Sequence, residues 1–465
     1  MANSYPPVYN DSKPGVFRRL DPAKYSSLGD FIDEVNKPDN RDQLVKTYGY
    51  QQISGNLTGF LSMTGAIRAS GTADEVQYWE ETRLHQYATV SPTASAAAAA
   101  TTFVGQKATG VASVLRLNDV VLVGGEDRFI VTAISPTGEV ASTATANYTF
   151  EALSSAGLTA SVSTASVNLP VIGNLFAQGS DQNTGYLESN VIKRTNPYNI
   201  IKEVFKVTGS QATNIGWINV GNGDYRWYVK GEMDTRARFL DKREMMLLLG
   251  QQITSSLTTT NIGGLPTAGE GYFSAIEDRG IVQDGEITSL AQIDTLIEQL
   301  DKQGAAPEYA MYVNTSQALA LDDLVASLNG AAGFADATVG VNAFGGKMGE
   351  AAKLGFQSFV RGGYTFHKHS WKLLNDPTLL GMSNAHYLGA MIPMTTVVDP
   401  KTGNRAAALE LNYKDTNGYS REMEHWMTGS ILGVNNTNVD SLQFNYRSEC
   451  ALVTRAANQH ILITA

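Results

Sequence analysis

Residues 225–257 read YRWYVKGEMDTRARFLDKREMMLLLGQQITSSL, directly after the turn Gly221-Asn222-Gly223-Asp224, and the reading of this stretch decides the fold. It is helix-compatible over about 33 residues, which at about 1.5 Å per residue predicts a rod on the order of 50 Å, too long for an ordinary globular helix. Val229, Met233, Ala237 and Leu240, then Leu247, Leu248 and Gln251, recur at helical spacing and predict one buried face. Arg236, Asp241, Lys242, Arg243 and Glu244 suit a polar face, so the pattern is amphipathic and not that of a membrane span. Gly231 sits inside it at a cost of about 1 kcal/mol relative to Ala and predicts a bend or break.

Upstream of this strut the first residues read as an arm. Pro6, Pro7 and Pro14 disfavour regular structure, a short amphipathic segment runs from Leu28 to Val35, and a helix from Arg41 to Tyr48 closes at Gly49. From Asn56 the sequence turns strand-like. Composition then shifts: between Ser91 and Pro170 only eight charged residues occur, and Ala, Ser, Thr, Val and Gly dominate. Leu115–Val123, Arg128–Ile134 and Tyr148–Leu153 are short β-type runs separated by Gly124-Gly125 and by Pro136-Thr137-Gly138, which predicts a small all-β module. The alanine tract Ala96–Ala100 reads equally as a helical turn or a flexible lead-in. Tyr198–Thr208 is a further strand, so β-sequence leaves, carries the module, and returns.

Downstream, Ser289–Gln303 is an amphipathic helix, Tyr309–Val313 a buried strand and Ser316–Leu328 another helix. Strands prevail after Gly330: Phe356–Val360, Tyr364–His367, Met391–Val398, Ala406–Leu411, Cys450–Thr454 and His460–Thr464. The class is α+β.

With 465 residues and 43% hydrophobic content, the chain can build two or three packed units. No apolar run reaches about 18 residues and the N-terminus lacks a signal-like core, so the expectation is a protein made in a cytoplasm with no membrane contact. Its single cysteine, Cys450, reads as a small buried residue in a strand. The formal charge of −10, with scattered Lys and Arg, argues against tight binding to a phosphate backbone; an acidic wall around packed DNA remains compatible.

Catalytic signatures are weak. His367 and His369 share a strand face, as two chelating imidazoles would, but no third ligand lies nearby in sequence. Glu422, Glu424 and His425 match no protease or hydrolase spacing. Gly345-Gly346-Lys347 lacks the phosphate-loop spacing, and Gly263-Gly264 and Gly269-Glu270-Gly271 fit no dinucleotide fingerprint. The reading is therefore not an enzyme: no catalytic, cofactor-binding or metal-ligating residue is assigned.

The order of arm, two-legged β excursion, long helix and α/β domain ending in strands resembles the major capsid proteins of tailed bacteriophages with the HK97 fold. Local phrases carry the same resemblance: Gly271-Tyr-Phe-Ser-Ala-Ile-Glu-Asp-Arg-Gly280-Ile281 leading out of the strut, Tyr312-Val-Asn-Thr-Ser316 at a strand-to-helix step, and Ala456-Ala-Asn-Gln-His-Ile-Leu-Ile463 as a closing strand. The resemblance implies an N-terminal arm at 1–55, an extended E-loop at 56–220 with the β module inserted at about 90–175, a peripheral (P) domain spine helix and linker at 221–288, an axial (A) domain at 289–400, and remaining A- and P-domain strands at 401–465. It further implies hexamers and pentamers of an icosahedral shell around double-stranded DNA, contacted non-specifically. Portal, scaffold, decoration and head-stabilising proteins are the implied partners, and the virion capsid, assembled in the host bacterium, the implied location; crAss-like phages are one home of such chains. Two alternatives stay open at this point: an encapsulin-type nanocompartment shell, and a tail or surface adhesin whose β module binds a receptor.

Overall fold

The computed structural model describes residues 55–85, 87–107, 114–136, 145–181, 191–215, 226–253, 268–330, 358–381, 386–394, 396–398 and 405–465. The expected arm, including both of its helical segments, lies outside the described residues, as do Gly263-Gly264 and Gly345-Gly346-Lys347. Two compact units divide the chain: Glu203–Phe239 and His425–Tyr446 belong to the smaller, together with Met1–Gln52; Ile53–Lys202, Leu240–Glu424 and Arg447–Ala465 form the larger.

The strut is helix α3, Trp227–Leu249, if the helices before it are α1 (Asn56–Met63) and α2 (Gly209–Thr213). It is 23 residues long, shorter than the sequence suggested, because the helix ends at Gly250. A Cβ at Gly250 would lie 2.5 Å from the Met246 carbonyl oxygen, and the chain leaves the helix there. Residues 254–257 lie outside the described residues. Gly231 does not break α3, which runs through it without interruption. A Cβ at this position would stand 2.5 Å from the Phe205 ring, so the glycine admits an aromatic ring against the helix backbone.

In the smaller unit Phe205 belongs to strand β10 (Asn199–Thr208), which pairs with β22 (Ser441–Thr454), as does β21 (Glu424–Gly429). Rings form a continuous row here. Phe205 to Phe444 is 6.3 Å, Phe444 to His425 6.3 Å, His425 to Tyr446 4.9 Å and Tyr446 to Phe239 5.7 Å. Tyr446 also donates its hydroxyl proton to Glu232 of α3. A capping box between Thr208 and Gln211 starts α2 at the end of β10.

The predicted faces of α3 need correction. Met233 is exposed, whereas Asp241, Arg243 and Glu244, placed on the polar side by sequence, are buried. Glu244 explains its own burial: it accepts hydrogen bonds from the backbone N–H of Gly55 (2.6 Å) and Leu57 (3.2 Å), the orphan donors at the start of α1. Gly55 itself supplies no side-chain cap. Segment 56–63, which reads as strand-like, is helical with this distant carboxylate as its cap. Burial pushes the Glu244 carboxyl above its ordinary range despite those hydrogen bonds.

The larger unit contains a six-stranded mixed sheet of β11 (Ile281–Asp284), β23 (Ile461–Thr464), β15 (Tyr387–Pro393), β12 (Glu308–Val313), β14 (Tyr364–Ser370) and β13 (Ser358–Arg361), in that order. β12 is apolar on both faces. Tyr309, Met311 and Val313 pack with Ile293, Leu296 and Leu300 of helix α5 (Leu290–Lys302), and Ala310 joins the opposite core with Leu247, Leu248 and Trp371. Helix α4 (Tyr272–Arg279) supplies Tyr272, Phe273 and Ile276 to that second core. α5 begins with a Ser289–Gln292 capping box, and α6 (Thr315–Gly330) follows β12. In the same unit β18 (Leu409–Tyr413) pairs parallel with β1 (Ile67–Ala69) and antiparallel with β22, where Cys450 is fully buried.

Six strands form a closed barrel in the order β3 (Tyr87–Pro92), β4 (Thr102–Lys107), β7 (Ala146–Ala152), β6 (Asp127–Ser135), β5 (Asp119–Val123) and β8 (Val167–Asn174). Closure leaves no free sheet edge. Phe103, Phe129 and Phe150 fill the interior, with centroids of Phe103 4.7 Å from Phe150 and 5.3 Å from Phe129. Gly124 and Gly125 take φ of +62° and +87° in the tight β5–β6 connection, a conformation that glycine adopts without strain. The tract Ala96–Ala100 is neither helix nor free lead-in: Ala96 bridges Val162 and the Ala99 N–H donates to the Leu158 carbonyl.

Candidate functional site

The barrel is joined to the rest of the larger unit through two strands that form a ribbon. β2 (Glu75–Glu81) pairs antiparallel with β9 (Val191–Pro197), with Tyr78 opposite Arg194, Trp79 opposite Lys193 and Val76 opposite Asn196. A free two-stranded ribbon is marginally stable at best, so its root must be held.

Asn196 does most of the holding. Its side-chain nitrogen donates to the carbonyls of Leu452 (2.6 Å) and Glu270 (3.0 Å), and its side-chain oxygen accepts from the Glu270 N–H (2.7 Å). Gly269 and Gly271 on either side of Glu270 are the motif that fitted no nucleotide fingerprint. Their role is close approach: a Cβ on Gly269 would sit 2.7 Å from the Asn196 side-chain oxygen, and one on Gly271 2.7 Å from the Leu248 carbonyl oxygen. Tyr78 is buried on the same inner face, where its hydroxyl donates to the Thr454 carbonyl (3.2 Å) and burial raises its pKa. Glu80 accepts from the Ala456 N–H (3.0 Å) and faces Arg194 at 3.5 Å.

Period-two geometry sends the alternate residues outward. Trp79 is 65% exposed, with the Lys193 ammonium 5.9 Å from its ring centroid. Glu75, Gln77 and Glu81 share its face, and Leu84, 71% exposed, follows. What such a surface can do is bury a tryptophan and a leucine against another protein surface, with carboxylates at its rim.

The residues singled out from sequence are engaged elsewhere. His367 sits 3.1 Å from Glu308, while His369 stacks on Tyr312 at 5.2 Å and is pushed below its ordinary pKa by burial and by His367. Glu424 pairs with Arg447 at 2.5 Å and accepts from the Tyr419 hydroxyl, Glu422 lies 3.8 Å from Arg243, and His425 belongs to the aromatic row of the smaller unit. Among the described residues no group of three or more His, Cys, Asp or Glu could hold a metal ion, and no helix is long and apolar enough to cross a membrane. Sequence reasoning missed Asn196, Glu244 and the buried His460, whose partners lie far off in the chain. A polar residue inside a strand or helix pattern is the only local sign of each.

No family model matches the chain, and no curated protein matches it. Among solved structures, one described as Gordonia phage Cozz is similar over 97% of this chain and 98% of its own, with 8% identity and a TM-score of 0.40. The capsid structure of the cyanophage P-SCSP1u is similar over 93% and 94%, with 8% identity and a TM-score of 0.42. The asymmetric unit of the bacteriophage PhiM1 mature capsid is similar over 63% and 78%, with 8% identity and a TM-score of 0.34.

Proposed function

We propose that this chain is a tailed-phage capsid shell subunit of the HK97 type, in which the ribbon and barrel are the E-loop and its insertion, α3 the P-domain spine and the six-stranded sheet the A-domain. The observation that carries the reading is the ribbon: rooted by satisfied hydrogen bonds, it presents Trp79 and Leu84 largely to solvent. An arm with an apolar outward face is stabilised when a partner covers it, and many identical modest contacts sum to a closed shell. The partner is a second copy. Residues of β10 offer a matching face, with exposed Ile200 and Val204 alternating with Lys202 and Lys206 against the ribbon's Trp79, Glu75 and Glu81. In this reading the copies form hexamers and pentamers of an icosahedral shell enclosing double-stranded DNA, with a portal and assembly factors as further partners, in the virion.

Negative-stain electron microscopy after size exclusion tests it. Closed shells or rings of five and six from the wild-type chain, and a folded unassembled subunit from Trp79→Glu, are the expected results. A compact monomer under all buffers, alone and with a candidate scaffold, overturns the proposal. Shells packed with a protein cargo and no route for DNA would assign the chain to the encapsulin class instead.

A further inference from the structure

Beyond the root, Arg83 ties the outgoing leg to the end of helix α5 before the chain enters the barrel. The Arg83 guanidinium donates to the Lys302 carbonyl at the C-terminal end of α5 and, at 3.1 Å, to the side-chain oxygen of Gln303. That same oxygen accepts from Asn458 (3.1 Å), so Gln303 joins the outgoing leg to the turn before β23. The last carbonyls of a helix lack intrahelical donors and carry partial negative charge, which suits a guanidinium. Gly304, at φ +64°, turns the chain away directly afterwards and leaves the helix end open to Arg83.

This attachment differs in kind from the root. Asn196 and Tyr78 are buried, and loss of their bonds would strand polar groups away from water. Arg83 is exposed, and water replaces its partners at little cost. It also stands at the far end of the ribbon, followed by exposed Leu84 and His85 on the way to the barrel segment. A weak contact at the end of a lever, with a strong one at its base, has two states.

We propose that Arg83 is a releasable latch. Closed on the end of α5, it fixes the outer part of the ribbon and the entry to the barrel; open, it releases that hold while the bonds of Tyr78, Glu80 and Asn196 persist, and residues 81–84 and 191–194 gain motion. The latch is intramolecular and stands whether or not the chain forms shells. If it does, the latch sets the direction in which Trp79 faces, and this consequence alone rests on the proposed function.

Hydrogen exchange read by mass spectrometry on the full-length chain tests the latch, comparing wild type with Arg83→Ala, Arg83→Lys and Gln303→Leu. Arg83→Ala and Gln303→Leu should each speed exchange about five-fold in peptides covering Glu80–Leu84 and Val191–Arg194, the population change that loss of one net hydrogen bond produces. Arg83→Lys, which keeps the charge and loses the fork, should fall between, and raised salt should move wild type toward Arg83→Ala. Strands β5 and β6 in the barrel and β12 in the sheet should be unchanged. Unchanged exchange at the ribbon in both Arg83→Ala and Gln303→Leu overturns the proposal. So does a rise spread evenly over β12 and the barrel, which would mean general destabilisation and no latch.

Discussion

The barrel and the ribbon are consecutive in the chain and equally β, yet they are stabilised in opposite ways. The barrel closes on itself: its aromatic interior of Phe103, Phe129 and Phe150 is supplied by residues within 50 positions of one another. The ribbon has no core of its own, and its root bonds join Asn196 to Leu452 and Tyr78 to Thr454, more than 250 positions away. A closed sheet is an independent object, whereas a ribbon borrows its rigidity from the body that it leaves.

The largest way to break the comparison is from the barrel side. Phe129→Ala removes a fully buried ring and should destabilise the barrel by about 3–5 kcal/mol, enough to unfold it while the six-stranded sheet persists. Hydrogen exchange would show β5 and β6 losing protection with β12 and β15 retaining it. Cooperative loss everywhere would mean that the barrel is not independent.

Acid should act on the body first. His460 is fully buried, its Nδ1 is 2.9 Å from the Tyr272 hydroxyl, and burial holds its pKa down to about 3 against an ordinary 6.5. Between those values the unfolded chain binds the proton and the folded chain does not, so this group's contribution to stability is full above pH 6.5 and falls as pH drops, by up to about 1.4 kcal/mol per pH unit. Glu244 has the opposite sign: its raised pKa makes the folded form the better proton binder just above the ordinary carboxylate range, which offsets part of the loss there. The barrel, Tyr87–Asn174, contains no histidine. Chemical denaturation at pH 7 and pH 5 should show the sheet weakened relative to the barrel, whose buried Asp119 carboxyl is shifted up and acts in the opposite sense, and His460→Phe should reduce that difference, leaving the share of His369.

Asn196→Leu cuts the ribbon's root. It leaves the Glu270 N–H and the Leu452 carbonyl without their partner and should cost about 1–3 kcal/mol, read as a lower denaturation midpoint and faster exchange in β2 and β9. Trp79→Ala is the smallest in stability, within about 0.5 kcal/mol because the ring is already in water, yet under the proposed function it should abolish or slow assembly in light scattering. A large loss of subunit stability would show that Trp79 serves its own chain.

Legibility in the sequence followed the range of the contacts. The β module was readable from low charge, alternating β-branched residues and Gly124-Gly125, because its contacts are local. Helix α5 was readable from its apolar spacing, and β12 from its continuous apolar run. The far end of α3 was overextended, since Gln251, Gln252 and Ile253 continue a helical pattern that Gly250 stops through backbone crowding. α1 read as strand-like because its cap, Glu244, arrives from 187 positions away, a signal that no local window contains. Gly231 read as a flaw because the Phe205 ring that needs its space belongs to another element. For the candidate site, the outgoing leg was legible as part of the strand-like sequence after Asn56; the returning leg, β9, was not, since the returning strand was read at Tyr198–Thr208, which is β10, and neither was the root, made of single polar residues with distant partners.

Strands β3 and β8, the first and last of the barrel, pair directly, with Tyr87 opposite Pro170. The barrel's entrance and exit are therefore neighbours. A piece of chain with adjoining ends behaves as a cassette: it can be acquired, dropped or exchanged through a single junction while the remainder keeps its register, and a foreign domain with similarly close termini could be spliced at the same place and carried along by the rest of the fold.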